Sequence, residues 1–440
     1  MEPISAQRRR EIIDALRRGT VPQRGLDVFA VGLGRFGLAL DEELRAVAAG
    51  GAGFKAIRGE YGSGKTFFAR WLQERAKRSG FAAAEVQISE AETPLHRLET
   101  VYRRAMERLS TADAAQGAFR PVVDGWFYGL EEEVLAEGQV DPSDATALTA
   151  ATEALLEKRL SAISRATPQF ALALRGYRRA RAEGDAATAD GLIAWLAGQP
   201  HVGAAAKKTA GIKGEVDHFA ALSFLQGLLT VLRDSGYAGL VLVLDEIETL
   251  QRVRGDVREK GLNALRQLVD EVDAGRFPGL YLVITGTPAF YDGPQGIRRL
   301  EPLAQRLHVD FQTDARFDSP RAVQVRLPGF THDRLVEVGR TIRDLYARDA
   351  QARDRVLTLA DDAYVAELAG AVAGDLGGQV GVAPRLFLKK LVGDVLDRVD
   401  QHPDFDPRRH YRLTVAEGEL TRVERAARGA ASVDDVELDH

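Results

Sequence analysis

Gly59-Glu60-Tyr61-Gly62-Ser63-Gly64-Lys65-Thr66 follows the apolar run Phe54 to Ile57 and precedes the helical pattern FFARWLQERAKR. Glycines at these spacings let a chain curl until successive backbone N–H groups converge on one point. A helix starting directly behind adds the positive end of its dipole, and together these features hold a phosphate. Strand, loop and helix in that order is the context that a G-x-x-x-x-G-K-T string requires. Lys65 would then reach the β and γ phosphates of ATP, and the Thr66 hydroxyl would bind Mg²⁺. Gly59, Glu60, Tyr61, Gly62, Ser63, Gly64 and Phe67 would complete the nucleotide site.

A second string supplies acids. Leu240 to Leu244 (LVLVL) is wholly apolar and runs into Asp245 and Glu246. A strand buried on both faces and ending in two carboxylates delivers them to the C-terminal edge of a parallel sheet, where such sheets bind ligands. Asp245 is the expected Mg²⁺ partner and Glu246 the expected general base for an attacking water. Glu248, two residues on, reads as a solvated or helix-capping acid. A third strand, Leu280 to Ile284, ends in Thr285-Gly-Thr287-Pro. A polar residue at that strand end can hold the water between acids and phosphate. Thr285 is the first candidate and Thr287 the second, although turn formation also accounts for these residue types.

Two arginines offer charge to a phosphoryl group, which a planar guanidinium can grip through two oxygens. Arg306 lies in Pro302-Leu-Ala-Gln-Arg306, with Arg298 and Arg299 as rivals, and Arg385 lies in Gly381-Val-Ala-Pro-Arg385. Proline in a first helical turn fixes the entry of that helix and hence the position of Arg385. By contrast, Gly32-Leu-Gly34-Arg-Phe-Gly37 spells G-x-G-x-x-G but lacks the acid about twenty residues further on that a dinucleotide site needs. It reads as a base pocket or a turn. Arg175, Arg178, Arg179 and Arg181, with Tyr177 among them, and Lys207, Lys208 and Lys213 form basic clusters that would line a path for DNA or would simply be solvated helix faces.

These side chains need elements to carry them. From Leu26 to about Ser110 helical patterns alternate with short apolar runs, including Glu85 to Ile88, which is the rhythm of an α/β unit. Residues 113–215 are Ala-rich and broken at Pro142, Pro168 and Pro200, which predicts a helical insertion without strands. Strands are predicted again at Leu240, Leu280 and Ala322 to Leu327, then helices to about Val399, one strand at Tyr411 to Val415, and an acidic tail with Asp434, Asp435, Glu437 and Asp439. Cysteine is absent from the 440 residues, which excludes disulfides, thiolate metal sites and cysteine nucleophiles. A net charge of −5 excludes a uniformly basic coat for nucleic acid. The Arg-rich segment Arg8 to Arg24 lacks the apolar stretch of a secretory signal, and no run is long enough to span a bilayer. A cytoplasmic protein without membrane contact is the expectation.

The ordered set of phosphate loop, Asp245-Glu246, Thr285, an arginine before the fifth strand and Gly-x-x-Pro-Arg resembles an AAA+ ATPase. Gly19-Thr-Val-Pro22, RGEYGSGKTFFARW, Thr93-Pro94-Leu95, LVLDEIETL and ITGTPAFYD narrow the resemblance to the BrxC/BrxD family of ATP-binding proteins in bacterial BREX phage-resistance systems. The resemblance implies an α/β fold, an AAA+ P-loop NTPase core whose parallel sheet is sandwiched by helices. It further implies a basic helix and adenine-side segment over residues 1–25, the ATPase domain over 26–328, a helical lid over 329–400, and a strand and acidic tail over 401–440. The Gly19 to Val31 segment would border the adenine. Such proteins assemble into rings or filaments in which a neighbour's arginine, here Arg306 or Arg299, completes the site. Function is then expected to be Mg²⁺-dependent ATP hydrolysis in phage defence, acting on DNA or loading a partner helicase or methyltransferase complex. The alternative is a nucleotide-gated switch or scaffold with slow turnover.

Overall fold

Five strands form one parallel sheet: β1 Gly53–Arg58, β2 Ala82–Gln87, β3 Leu240–Asp245, β4 Leu280–Gly286 and β5 Gln324–Arg326. Their spatial order is β2-β3-β4-β1-β5. The computed structural model describes residues 4–138, 140–376, 384–420 and 424–425, and most of them are helical. Both central strands, β3 and β4, are buried throughout, as their unbroken apolar runs require of a sheet covered on both sides.

Alternation along the strands sorts their side chains between two cores. Leu240, Leu242, Leu244, Leu280, Leu282 and Ile284 face one, while Val241, Val243, Tyr281 and Val283 face the other. The first core is built with helices Leu98–Glu107, His218–Asp234 and Gly255–Asp273. The Ala-rich segment joins it as helices Phe119–Ala136, Ala145–Ala166, Pro168–Ala182, Ala186–Leu196 and Ala204–Ala210, with no strand among its described residues. Phe224 on helix His218–Asp234 is the hinge of that packing, with Tyr102, Phe170 and Trp195 edge-on around it at 5.1–6.0 Å. The second core gathers the N-terminal helix Ala6–Arg17, helices Gly34–Ala48 and Lys65–Arg78, and the C-terminal helices from His332 onward. Arg17 ties the two chain ends together by donating to Asp397 at 2.6 and 2.9 Å.

Strand register positions the chemistry. Ile57 of β1 lies beside Thr285 of β4, and Leu244 of β3 beside Ile284, so the loop after β1, the acids ending β3 and Thr285 meet at one sheet edge.

Two predicted strands differ from what is observed. Within Ala322 to Leu327 the strand itself is shorter, Gln324–Arg326, although Val323 accepts the Ala56 N–H and Leu327 donates to the Arg58 carbonyl, both at 2.8 Å, on either side of it. Tyr411 to Val415 belongs to none of the five strands. It lies extended, with Tyr411 bonded to Asp394 at 3.2 Å and Val415 buried in the second core. Arg412 and Thr414 face outward between them, so a period of two arises from laying an extended chain on helices as well as from sheet pairing. The acidic tail residues Asp434, Asp435, Glu437 and Asp439, and Gly381 to Ala383 before Pro384, lie outside the described residues. No described helix is long and apolar enough to cross a membrane.

Candidate functional site

The loop between β1 and helix Lys65–Arg78 turns through Gly62 and Gly64, whose φ values of 79° and 89° only glycine adopts without strain. Gly59 is tightly enclosed, since a Cβ there would lie 2.3 Å from Ser63 Oγ and force that hydroxyl aside. The Lys65 ammonium lies back across this loop, donating to the carbonyls of Gly59 at 3.0 Å and Glu60 at 3.3 Å, 5.0 Å from the centre of the Tyr61 ring. Ser63 Oγ is buried with no hydrogen-bond partner among the described residues.

Against this loop stand the ends of β3 and β4. Thr66 Oγ1 donates to one Asp245 oxygen at 2.9 Å, and the Thr285 hydroxyl donates to the other. Thr285 also accepts the backbone N–H of Glu246 at 3.2 Å, so one buried hydroxyl sets the orientation of both acids. Burial raises the Asp245 carboxyl above the ordinary carboxylate range, an effect partly offset by these two hydroxyls. Glu246 is a non-glycine residue in the left-handed region, at φ 59° and ψ 42°. That conformation costs roughly 1–2 kcal/mol and turns its carboxylate toward Gln87 at the end of β2, whose amide donates to it at 2.9 Å.

The same left-handed turn corrects the reading of Glu248. It does not project into solvent or cap a helix. The short turn Ile247–Gln251 is folded back under the phosphate loop, and the Glu248 side chain is 3% exposed at 3.8 Å from Lys65 Nζ. Burial pushes this carboxyl up to about 7, and Lys65 pulls it down.

A cavity of about 480 Å³ opens over these residues. Gly19 to Pro22, Phe29 and Val31 to Leu33 wall it on the N-terminal side, and Phe330, Arg334, Val338, Arg385 and Leu388 on the C-terminal side. With this geometry in place, comparison with known proteins adds that residues 4–415 match the family described as BREX system ATP-binding protein BrxC/D. The chain belongs to that family. No curated protein matches it. Membership makes the chain an ATP-binding protein of a BREX system, with a P-loop NTPase-like core.

Within this BrxC/D chain the remaining candidates fall in different places. Arg385 lines the cavity, yet its guanidinium is held by both oxygens of Glu424, one at 3.0 Å, and by the Glu419 carbonyl at 2.7 Å. Thr287 is buried just beyond β4. Arg306 is outside the cavity wall, salt-bridged within its own chain to Asp270 at 3.1 Å and Asp273 at 2.8 Å. Arg298 and Arg299 are exposed and donate only to backbone carbonyls, of Asp292 and Pro294. The G-x-G-x-x-G string holds no strand before it: Leu26–Phe29 is a 3-10 turn, Gly32 (φ 76°) lines the cavity, and Gly34 starts a helix.

The basic clusters are divided. Arg175 is paired with Glu157 at 2.7 Å, Arg179 donates to the Thr209 carbonyl at 2.6 Å, and Lys207 to that of Gly214 at 3.4 Å. Arg178, Arg181 and Lys208 have no acid partner among the described residues. Tyr177 is fully buried on Asp124 at 2.6 Å and offers no ring for base stacking.

Three residues carried no signal in the sequence: Arg252 and Arg334, which line the cavity, and Gln87, which reaches it only through Glu246. Gln87 is identifiable only once β2 and β3 are known to pair. Arg252 donates to the Tyr61 hydroxyl at 3.2 Å. Arg334, on the first turn of helix His332–Ala347, packs so closely on Gly32 that a Cβ there would lie 3.2 Å from its guanidinium carbon. It has no hydrogen-bond or acid partner for its side chain among the described residues.

Proposed function

We propose that this BrxC/D chain is a Mg²⁺-dependent AAA+ ATPase. In this reading residues 26–328 form the nucleotide-hydrolysing domain, 113–215 its helical insertion and 329–400 a lid over the cavity. The observation that carries it is the convergence of Lys65 and Thr66 with Asp245 and Glu246, from two stretches of chain far apart in sequence, on one cavity. The donor set suits a hard cation: a hydroxyl and a carboxylate 2.9 Å apart are oxygen ligands of the kind Mg²⁺ takes alongside phosphates. Thr66 and Asp245 would hold the ion, directly or through water, and when bound it would neutralise charge on the β and γ phosphates.

The protein's own groups do the rest. Backbone N–H groups of Gly62 to Thr66 and the Lys65 ammonium bind phosphate oxygens. Glu246 takes a proton from water, for which its carboxylate must leave Gln87. Thr285 keeps Asp245 and the Glu246 backbone in register. A neighbouring subunit's arginine would complete the site. Arg306 can serve only by releasing Asp270 and Asp273, whereas Arg299 has only a carbonyl to give up. Rates of ATP hydrolysis with and without duplex and single-stranded DNA test the reading, and strong stimulation supports action on DNA or loading of a partner.

One observation favours the slower, switch-like alternative. Glu246 is bonded to Gln87 and Arg385 to Glu424, so two of the groups assigned to turnover are engaged elsewhere. Measurable nucleotide binding with little turnover, unchanged by DNA, supports that alternative.

A further inference from the structure

Glu248 has no part in the hydrolysis just described, yet its carboxylate lies 3.8 Å from the Lys65 ammonium. Both its oxygens are buried without a hydrogen-bond partner among the described residues. Its one ion-pair neighbour, the Lys65 ammonium, is 3.8 Å away, beyond the ~2.7–2.9 Å of a charge-assisted hydrogen bond. The donors of Lys65 go instead to the Gly59 and Glu60 carbonyls. Glu248 therefore exerts its charge on Lys65 without gripping it, and Lys65 can turn to another anion without breaking a hydrogen bond to Glu248.

Glu248 cannot withdraw in the same way. Ile247 is fully buried and Leu250 3% exposed, so the short turn is pinned on both sides under the loop. Gly261 adds to this, since Leu250 fills the space where a side chain at that glycine would stand, 2.5 Å from its Cβ position. Above about pH 7, where Glu248 is ionised, any phosphate that reaches Lys65 enters beside a fixed negative charge in a buried setting, where such charges act strongly. The acids Asp245 and Glu246 lie on the same side, so the repulsion is greatest for an anion that arrives without a divalent cation.

We propose that Glu248 is a specificity-determining residue of the phosphate loop: a fixed, buried carboxylate that competes for Lys65 and makes the site select nucleotide accompanied by a divalent cation over free phosphate esters. This rests on the nucleotide reading of the cavity. It differs from a base, which must move to a water, and from a prop that holds Lys65 in place.

The test is equilibrium binding of a fluorescent ADP analogue to the full chain, in Mg²⁺ and in EDTA, at a pH above 7 so that Glu248 is ionised. Wild type should bind well only with Mg²⁺. Glu248→Gln should tighten binding in EDTA by about tenfold, or 1.4 kcal/mol, and change binding in Mg²⁺ much less. Thermal unfolding without nucleotide checks the fold, and if Glu248→Gln does not fold, Glu248→Met, neutral and of similar length, is measured in its place. Binding in EDTA that is unchanged or weaker in the neutral variant overturns the proposal, the weaker result marking Glu248 as a prop for Lys65. A wild-type chain that binds the analogue under neither condition overturns the nucleotide reading itself.

Discussion

The two walls of the cavity are built on different terms. At the sheet edge the polar groups are bonded to one another: Lys65 to the loop carbonyls, Thr66 and Thr285 to Asp245, and Thr285 to the Glu246 backbone. On the C-terminal side one arginine, Arg385, is held by a carboxylate from residue 424, and the other, Arg334, lines the cavity with no acid partner among the described residues. The backbone of the edge is prearranged by strand register, which fixes where Asp245 and Glu246 start, so that only the Lys65 and Glu246 side chains have bonds to exchange. The helical wall is where an incoming nucleotide has charge to exchange or to acquire.

If that contrast holds, substitutions at the edge and on the helices should differ in kind. Lys65→Ala removes the cation the edge is built around. Truncating one partner of a buried charged contact costs about 2–5 kcal/mol, so nucleotide affinity measured by calorimetry should fall by about thirtyfold or more. Arg334→Ala should cost about 1.5 kcal/mol, the low end of the range for a hydrogen bond to a charged group, read as roughly a tenfold loss in the same titration. Arg385→Ala should matter less than Arg334→Ala, because Glu424 already occupies its guanidinium. Glu424→Gln sharpens the point: by freeing Arg385 it should tighten nucleotide binding by about threefold, or 0.7 kcal/mol. An Arg385→Ala effect as large as that of Arg334→Ala would erase the distinction between the two arginines. Smallest is Gly32→Ala, which puts a Cβ at φ 76° against Arg334. It should lower stability by about 1–2 kcal/mol in chemical denaturation, with nucleotide affinity falling only as far as Arg334 is pushed aside.

The same contrast explains what could be read from the sequence. Phosphate loop, acids and Thr285 each sit at a strand end, so an apolar run followed by a polar residue discloses both the element and its chemical terminus. The helical character of residues 113–215 was equally plain, because alanine with proline breaks leaves no strand pattern. What escaped depended on contacts between distant parts of the chain. The fate of Glu248 follows from the left-handed backbone at Glu246, which residue type alone does not announce. Arg385 and Glu424 are 39 residues apart, and nothing in Pro384-Arg385 points to its partner. Arg334 reads only as part of a helix start capped by Thr331, whose side chain accepts the Arg334 N–H at 3.3 Å. Tyr411 to Val415 carried a period of two that an extended chain on a helical surface shares with a strand.

The proposal that this prearranged edge hydrolyses ATP is tested most directly by single-turnover hydrolysis and nucleotide affinity measured side by side on Glu246→Gln. The substitution keeps the shape of the side chain and its reach to Gln87 while removing the base. Hydrolysis should fall by about 10²–10⁴-fold, the usual contribution of a general base, with affinity for Mg²⁺–ATP kept within a few-fold of wild type. Hydrolysis at a near wild-type rate in Glu246→Gln would contradict the account, and would place the proton transfer on another group.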